Sequence, residues 1–213
     1  MVISVDIDNE EAINKLLSQI DERHRINEIE EYNLWFLNKT PEEIKLFDYF
    51  LDYKEEYFRD MTLEDQDIWI DLFESMGDRD VQISNKKTIL RVVEDADFLG
   101  CTYGTYKIEI IKSCVDDKKT LLHEMIHLFE SRAKYLNPII NEWLYRFLYR
   151  KLSSRISDLD DRILHHAYSN LSSNMENLNG LHGILFYLKS LDLDIRCDYS
   201  LGTICGYGRD EYV

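Results

Sequence analysis

Thr120-Leu121-Leu122-His123-Glu124-Met125-Ile126-His127 is the stretch on which the reading of this 213-residue chain depends. On an α-helix, residues four apart share one face, so His123 and His127 present two imidazoles to one point, with Glu124 one position along. H-E-x-x-H on a helix is the spacing by which two histidines hold one zinc ion and the glutamate acts as general base on a water bound to it. Leu121, Leu122, Met125, Ile126, Leu128 and Phe129 supply the apolar surface that would seat such a helix in a core. The helix is expected from Val115-Asp116-Asp117 onward.

Towards the N-terminus the pattern changes from helical to alternating. Thr88-Ile89-Leu90-Arg91-Val92-Val93 and Thr105-Tyr106-Lys107-Ile108-Glu109-Ile110-Ile111 read as strands, because β-branched residues and period-two alternation dominate both. Phe98-Leu99-Gly100-Cys101-Thr102-Tyr103-Gly104 between them reads as a glycine-punctuated turn. Residues 8–80 read as helices throughout. Ala12, Ile13, Leu16, Leu17 and Ile20 form one stripe. Thr40-Pro41-Glu42-Glu43 gives the next helix a cap, a proline at its first position and early acidic residues. A further helix starts at Thr62, turns Ile68, Trp69, Leu72 and Phe73 inward and stops near Gly77.

Beyond the motif, Asn137-Pro138 opens a helical region over 138–171, with Trp143, Leu144, Phe147 and Leu148 on one side, and Gly180 breaks it. A short helix at about 181–191 is expected to lead into a strand around Leu193-Asp194-Ile195-Arg196. The fold class expected from this order is α+β and helix-rich. A small sheet packs on the H-E-x-x-H helix, preceded by an all-helical acidic segment. The corresponding domains are 1–80 and 81–213, the second with a helical insertion at about 137–178.

Charge separates the same two regions. The net charge is −16, and residues 1–80 hold 23 acidic and 8 basic side chains, which leaves the remainder almost neutral. Such a surface repels phosphate backbones, so nonspecific nucleic-acid binding is not expected, and residues 1–80 suit a basic protein partner. No run of about 18 apolar residues occurs, and Met1-Val2-Ile3-Ser4-Val5-Asp6-Ile7-Asp8 lacks the basic and long apolar stretches of a signal peptide, so a cytoplasmic protein without a membrane segment is expected. Cys101, Cys114, Cys197 and Cys205 are too sparse for a disulfide framework and form no C-x-x-C, which argues for reduced thiols and against a structural zinc ribbon.

A catalytic zinc site needs a third protein ligand, with the fourth position left to water. Glu130 lies three residues past His127 and would point away from the ion on a continuing helix. Glu142 could fold back from the following helix. His165 and His166 are adjacent, so at most one faces inward. His182 has the stronger case: Gly180 and Gly183 bracket it with backbone freedom, and Leu185, Phe186 and Leu188 give the next helix an apolar face. Tyr103, Tyr106, Tyr199 and Tyr207 are open as donors to a developing oxyanion.

The motif 120–127, preceded by Gly100-Cys101 and the strand at 105–111 and followed by His182-Gly183-x-x-Phe186, resembles the SprT-like (Spartan-type) zinc metallopeptidase domain of the zincins. The resemblance covers roughly residues 88–200 and rests on those two motifs. It implies Zn²⁺ as cofactor, His123, His127 and His182 as its ligands, and Glu124 as the catalytic base. The chain departs from the family in the 54 residues that separate His127 from His182 and in lacking the zinc ribbon that often follows the domain, so the family's DNA-linked role is not carried over. The function expected is hydrolysis of peptide bonds in a protein or peptide substrate, with the strand at 105–111 as the sheet edge along which an extended substrate could align. The other expectation is an acidic protein-binding module whose zinc site is structural or vestigial.

Overall fold

A computed structural model describes residues 39–62, 88–136, 138–173 and 182–206. The expected helices over 8–38 and 62–77 and the expected domain boundary near residue 80 therefore lie outside or at the margins of the described residues. Glu42–Val213 forms one compact unit. Among the described residues the chain is α+β and helix-rich: α1 (Pro41–Tyr57), β1 (Ile89–Val93), β2 (Gly100–Tyr103), β3 (Lys107–Ile111), α2 (Lys118–Leu136), α3 (Pro138–Ser153), α4 (Leu159–Ser173) and α5 (Ile184–Arg196), with a 3₁₀ turn at Lys112–Cys114.

The sheet has the order β1-β3-β2. β1 runs parallel to β3, with Leu90 opposite Ile108, and β2 runs antiparallel to it, with Thr102 opposite Ile108 and Gly100 opposite Ile110. The sheet differs from the expected strands in two places. The segment 98–104 is not simply a turn, because Gly100–Tyr103 pairs as a strand; its alternation spans only four residues, too few to stand out beside two glycines. The strand at 105–111 begins at Lys107 and lies in the centre of the sheet, so the edges are β1 and β2.

α2 starts where the carboxylate of Asp117 accepts from the backbone N–H of Lys119 at 3.2 Å and from the Thr120 hydroxyl at 2.6 Å, satisfying donors that have no partner within the helix. Leu121, Leu122, Met125, Ile126, Leu128 and Phe129 are all buried, as the apolar stripe requires. Gly100, on β2, lies against this helix: a Cβ there would stand 2.8 Å from Glu124 Cγ and 3.0 Å from Thr120 Cγ2, so only glycine allows strand and helix to approach this closely. At the far end of α2 the buried Arg132 donates from Nε to the Thr105 carbonyl at 2.8 Å and from Nη2 to the Thr88 hydroxyl at 2.9 Å, tying the helix to the approaches of β3 and β1.

The helical region 138–171 divides in two. The Ser153 and Ser154 hydroxyls donate to the carbonyls of Arg150 and Lys151, competing with backbone bonds at the end of α3, and α4 begins at Leu159. The strand expected at 193–196 is instead the last turn of α5. Its apolar residues Leu191 and Leu193 are buried, and so are Asp192 and Asp194, which find partners within the protein. That acidic alternation reads as a strand only when those partners are unknown. Lys189, fully buried on α5, donates to both carboxylate oxygens of Asp60 at 2.7 and 2.8 Å, to Asp192 at 3.2 Å and to the Tyr57 carbonyl at 2.6 Å. This cluster joins the end of α1 to α5. No helix among the described residues is long and apolar enough to cross a membrane.

Candidate metal centre

His123 and His127 sit one turn apart on α2, and His182 lies just before α5, two residues ahead of its first position. The three imidazoles converge: His123 Nε2 is 3.2 Å from His127 Nε2 and 3.1 Å from His182 Nε2. Three nitrogens each about 2.0–2.1 Å from one tetrahedral zinc would be about 3.3–3.4 Å apart, close to what is found. Among the described residues this is the group of histidine, cysteine and carboxylate side chains whose ligand atoms lie near enough together to hold a metal ion. Glu142 is elsewhere, exposed on α3 and paired at 2.5 Å with Arg146 on the next turn.

The tautomer of His123 follows from its surroundings. Its Nδ1–H donates to the Ile204 carbonyl at 2.8 Å, which leaves Nε2 with a bare lone pair directed at the other two rings. Burial, reinforced by the neighbouring imidazoles, pushes the pKa of His123 down to about 2 and that of His127 down to about 3. Both rings are therefore neutral near pH 7, the state a cation requires of its ligands. Phe186 lies against all three rings, at centroid distances of 4.8 Å from His123 and 4.4 Å from His127 and from His182. One side of the cluster is thus apolar and closed to water by a phenyl ring.

Glu124 is buried, and its Oε2 accepts from the Thr102 hydroxyl at 2.7 Å; the same hydroxyl lies 2.9 Å from the Glu124 carbonyl. β2 thus fixes the carboxylate from one side while α2 carries it. Gly183 has φ −68° and ψ 176°, extended backbone open to any residue, so the freedom expected of it is not used. Its missing side chain matters instead for space, since a Cβ there would meet Glu130 Oε1 at 3.2 Å. Gly180 lies outside the described residues, as does Tyr207. Tyr103 faces Lys107, whose Nζ is 4.0 Å from the ring centroid, and Tyr106 is exposed.

Several contributors were not apparent from the sequence. His166 Nε2 lies 3.0 Å from the His182 carbonyl, to which its N–H can donate, and its ring stacks on Tyr187 at 4.1 Å, so α4 braces the segment carrying the third histidine. His165 is exposed. Thr102 and Ile204 belong to segments with no motif of their own. Only the alternation around Thr102 could have pointed to it. None of the four cysteines is in a disulfide. In comparisons with known proteins, no family model matches the chain, and neither a curated protein nor a solved structure matches it.

Proposed function

We propose that the chain is a zinc-dependent metallopeptidase of the zincin type, most like the SprT-like domain, with His123, His127 and His182 as metal ligands and Glu124 as general base. The observation that carries this reading is the convergence of three imidazole nitrogens, two from α2 and one from the segment just before α5, at spacings a tetrahedral ion would bridge, beside a buried glutamate one residue from His123 on α2. Three protein ligands leave a fourth position for water, as in catalytic rather than structural zinc sites. Zinc bound there would lower the pKa of that water towards about 7 and polarise a scissile carbonyl. Glu124 would then serve as the general base for that water and hand its proton to the leaving amine, and the Thr102 hydroxyl, which donates to its Oε2, would keep the carboxylate aimed. Phe186 excludes water behind the rings.

β2 replaces the strand at 105–111 as the edge for strand addition. It pairs with β3 on one side, and among the described residues no strand pairs with its other side. An extended peptide hydrogen-bonded to that edge would pass beside the strand that holds Glu124.

Elemental analysis of the purified protein, with casein hydrolysis measured in parallel, tests the reading. One zinc per chain is expected in wild type, Glu142→Ala and Glu124→Gln, with its loss in His123→Ala, His127→Ala and His182→Ala. Glu124→Gln should lose hydrolysis while keeping zinc. Full activity in Glu124→Gln would overturn the mechanism, and zinc retained in His182→Ala would overturn the ligand set.

A further inference from the structure

We propose that Asp194 is a positioning residue for the metal centre, acting through the turn at 201–206 to hold the carbonyl that orients His123. The inference rests on the metal reading above. Asp194 lies on α5, is fully buried, and spends its carboxylate on backbone: Oδ2 accepts from Gly202 N–H at 2.7 Å and Oδ1 from Ile204 N–H at 3.0 Å. Its own carbonyl accepts from Tyr199 N–H at 2.8 Å, so the chain from 199 to 204 wraps around one residue.

Ile204 gives its N–H to Asp194 and its carbonyl to His123 Nδ1–H, and its side chain is fully buried. The two groups belong to the successive peptides that meet at the Ile204 Cα, so where Asp194 holds that residue, the acceptor for His123 is held with it. The turn follows an uncommon backbone path. Asp198 has φ 58° and Gly202 φ 97°, both in the left-handed region, and the Asp194 carboxylate compensates by gathering the N–H groups that this path directs inward. A negative charge buried without a cationic partner among these contacts is costly, which argues against a role in packing alone. The same carboxylate fixes the one hydrogen bond that makes His123 present Nε2 rather than Nδ1. Partners of this kind behind a metal-bound histidine contribute about tenfold to a hundredfold in metal affinity.

The test uses the full chain with Zn²⁺ and Co²⁺ as probes. Affinity is measured by competition with a chromophoric chelator, and the His123 Nδ1–H by its proton resonance in the zinc-loaded protein. Asp194→Asn keeps the shape but turns an amide N–H towards a backbone N–H, so zinc should bind about tenfold to a hundredfold more weakly. The cobalt absorption should shift, and the Nδ1–H resonance should exchange faster with water. Gly202→Ala leaves Asp194 in place and its Cβ meets nothing within 4 Å, but it strains the left-handed backbone whose N–H the carboxylate holds, and should weaken zinc several-fold. Phe58→Leu, whose ring neighbours are Phe129 and Lys189, should lower the melting temperature yet leave zinc affinity within about twofold. Wild-type affinity and an unchanged Nδ1–H resonance in Asp194→Asn would overturn the proposal. Should that variant not fold, wild-type affinity in Gly202→Ala would overturn it equally. Failure of the wild-type chain to bind either metal would instead remove the metal reading itself, and this inference with it.

Discussion

Glu124 illustrates how narrow the tolerances are around a single side chain. Its carboxylate is held by Thr102 and its Cγ would be 2.8 Å from any Cβ at position 100, so Gly100 and Glu124 form one steric unit. Gly100→Ala forces one of them to move. The expected result is a loss of about 1–3 kcal/mol in stability, typical of an overpacked core, and a fall in casein hydrolysis larger than the fall in zinc content. Chemical denaturation with metal analysis measures both, and unchanged activity would show that Glu124 needs no such fixing. His123, Glu124 and His127 were legible in the sequence because a helix turns a five-residue spacing into geometry without help from elsewhere. His182 was legible through its apolar helix at 184–188. Ile204 was not, because its contribution is a main-chain carbonyl, which any residue type supplies.

Among the elements, α2 does two jobs, and Arg132 separates them. The motif occupies the first half of the helix. In the second half the buried guanidinium reaches the approaches of two strands, and burial alone lowers its pKa to about 10. Lysine cannot reproduce donation in two directions from one planar group. Arg132→Lys is therefore expected to cost about 1–3 kcal/mol, or about 2–4 °C of melting temperature per kcal/mol, with zinc stoichiometry unchanged. Loss of zinc in that variant would mean that the two halves of α2 are coupled. Among the described residues, the helices and the two longer strands were readable from periodicity, to within the boundaries noted above. β2 was obscured by its short length and its glycine, and the end of α5 by the alternation of Leu191, Asp192, Leu193 and Asp194, in which all four residues are buried and the acidic pair is satisfied by Lys189, Lys151 and backbone N–H groups.

Over the whole molecule, the depressed histidines set the response to acid. Their folded pKa values of about 2 and about 3 lie below the ordinary value near 6.5, so between those limits the unfolded chain binds protons that the folded chain does not. The stabilisation is fully present above pH 6.5 and is lost as pH falls. Metal-free protein should become less stable by up to about 1.4 kcal/mol per pH unit for each histidine below pH 6.5. At lower pH Asp192 adds to the loss. Burial pushes its carboxyl up, but Lys189, Lys151 and Arg196 outweigh that and hold it below the usual carboxylate range. Urea melts of chelator-treated protein at pH 7.5, 6.0 and 5.0 measure the slope, and a flat profile would contradict the burial of the rings. Saturating zinc should add stability at all three pH values, because the folded rings of His123 and His127 stay neutral down to about pH 3.

The hydrogen bond from His123 to Ile204 spans 81 positions, and the pair formed by Lys189 and Asp60 spans 129. Closing loops of that length is slow to be rewarded, so the C-terminal turn and the third histidine should reach α2 after the main folding barrier has been crossed. A ligand whose site is still open at the barrier cannot speed the climb; it can only deepen the well beyond it. Stopped-flow measurements with and without zinc should accordingly show the same refolding rate and a slower escape from the native state, by a factor near one plus the ratio of free zinc to its dissociation constant. Zinc-accelerated refolding would place the three histidines together early. With the expected result, the ion acts as a latch on a finished structure rather than as a template for building it.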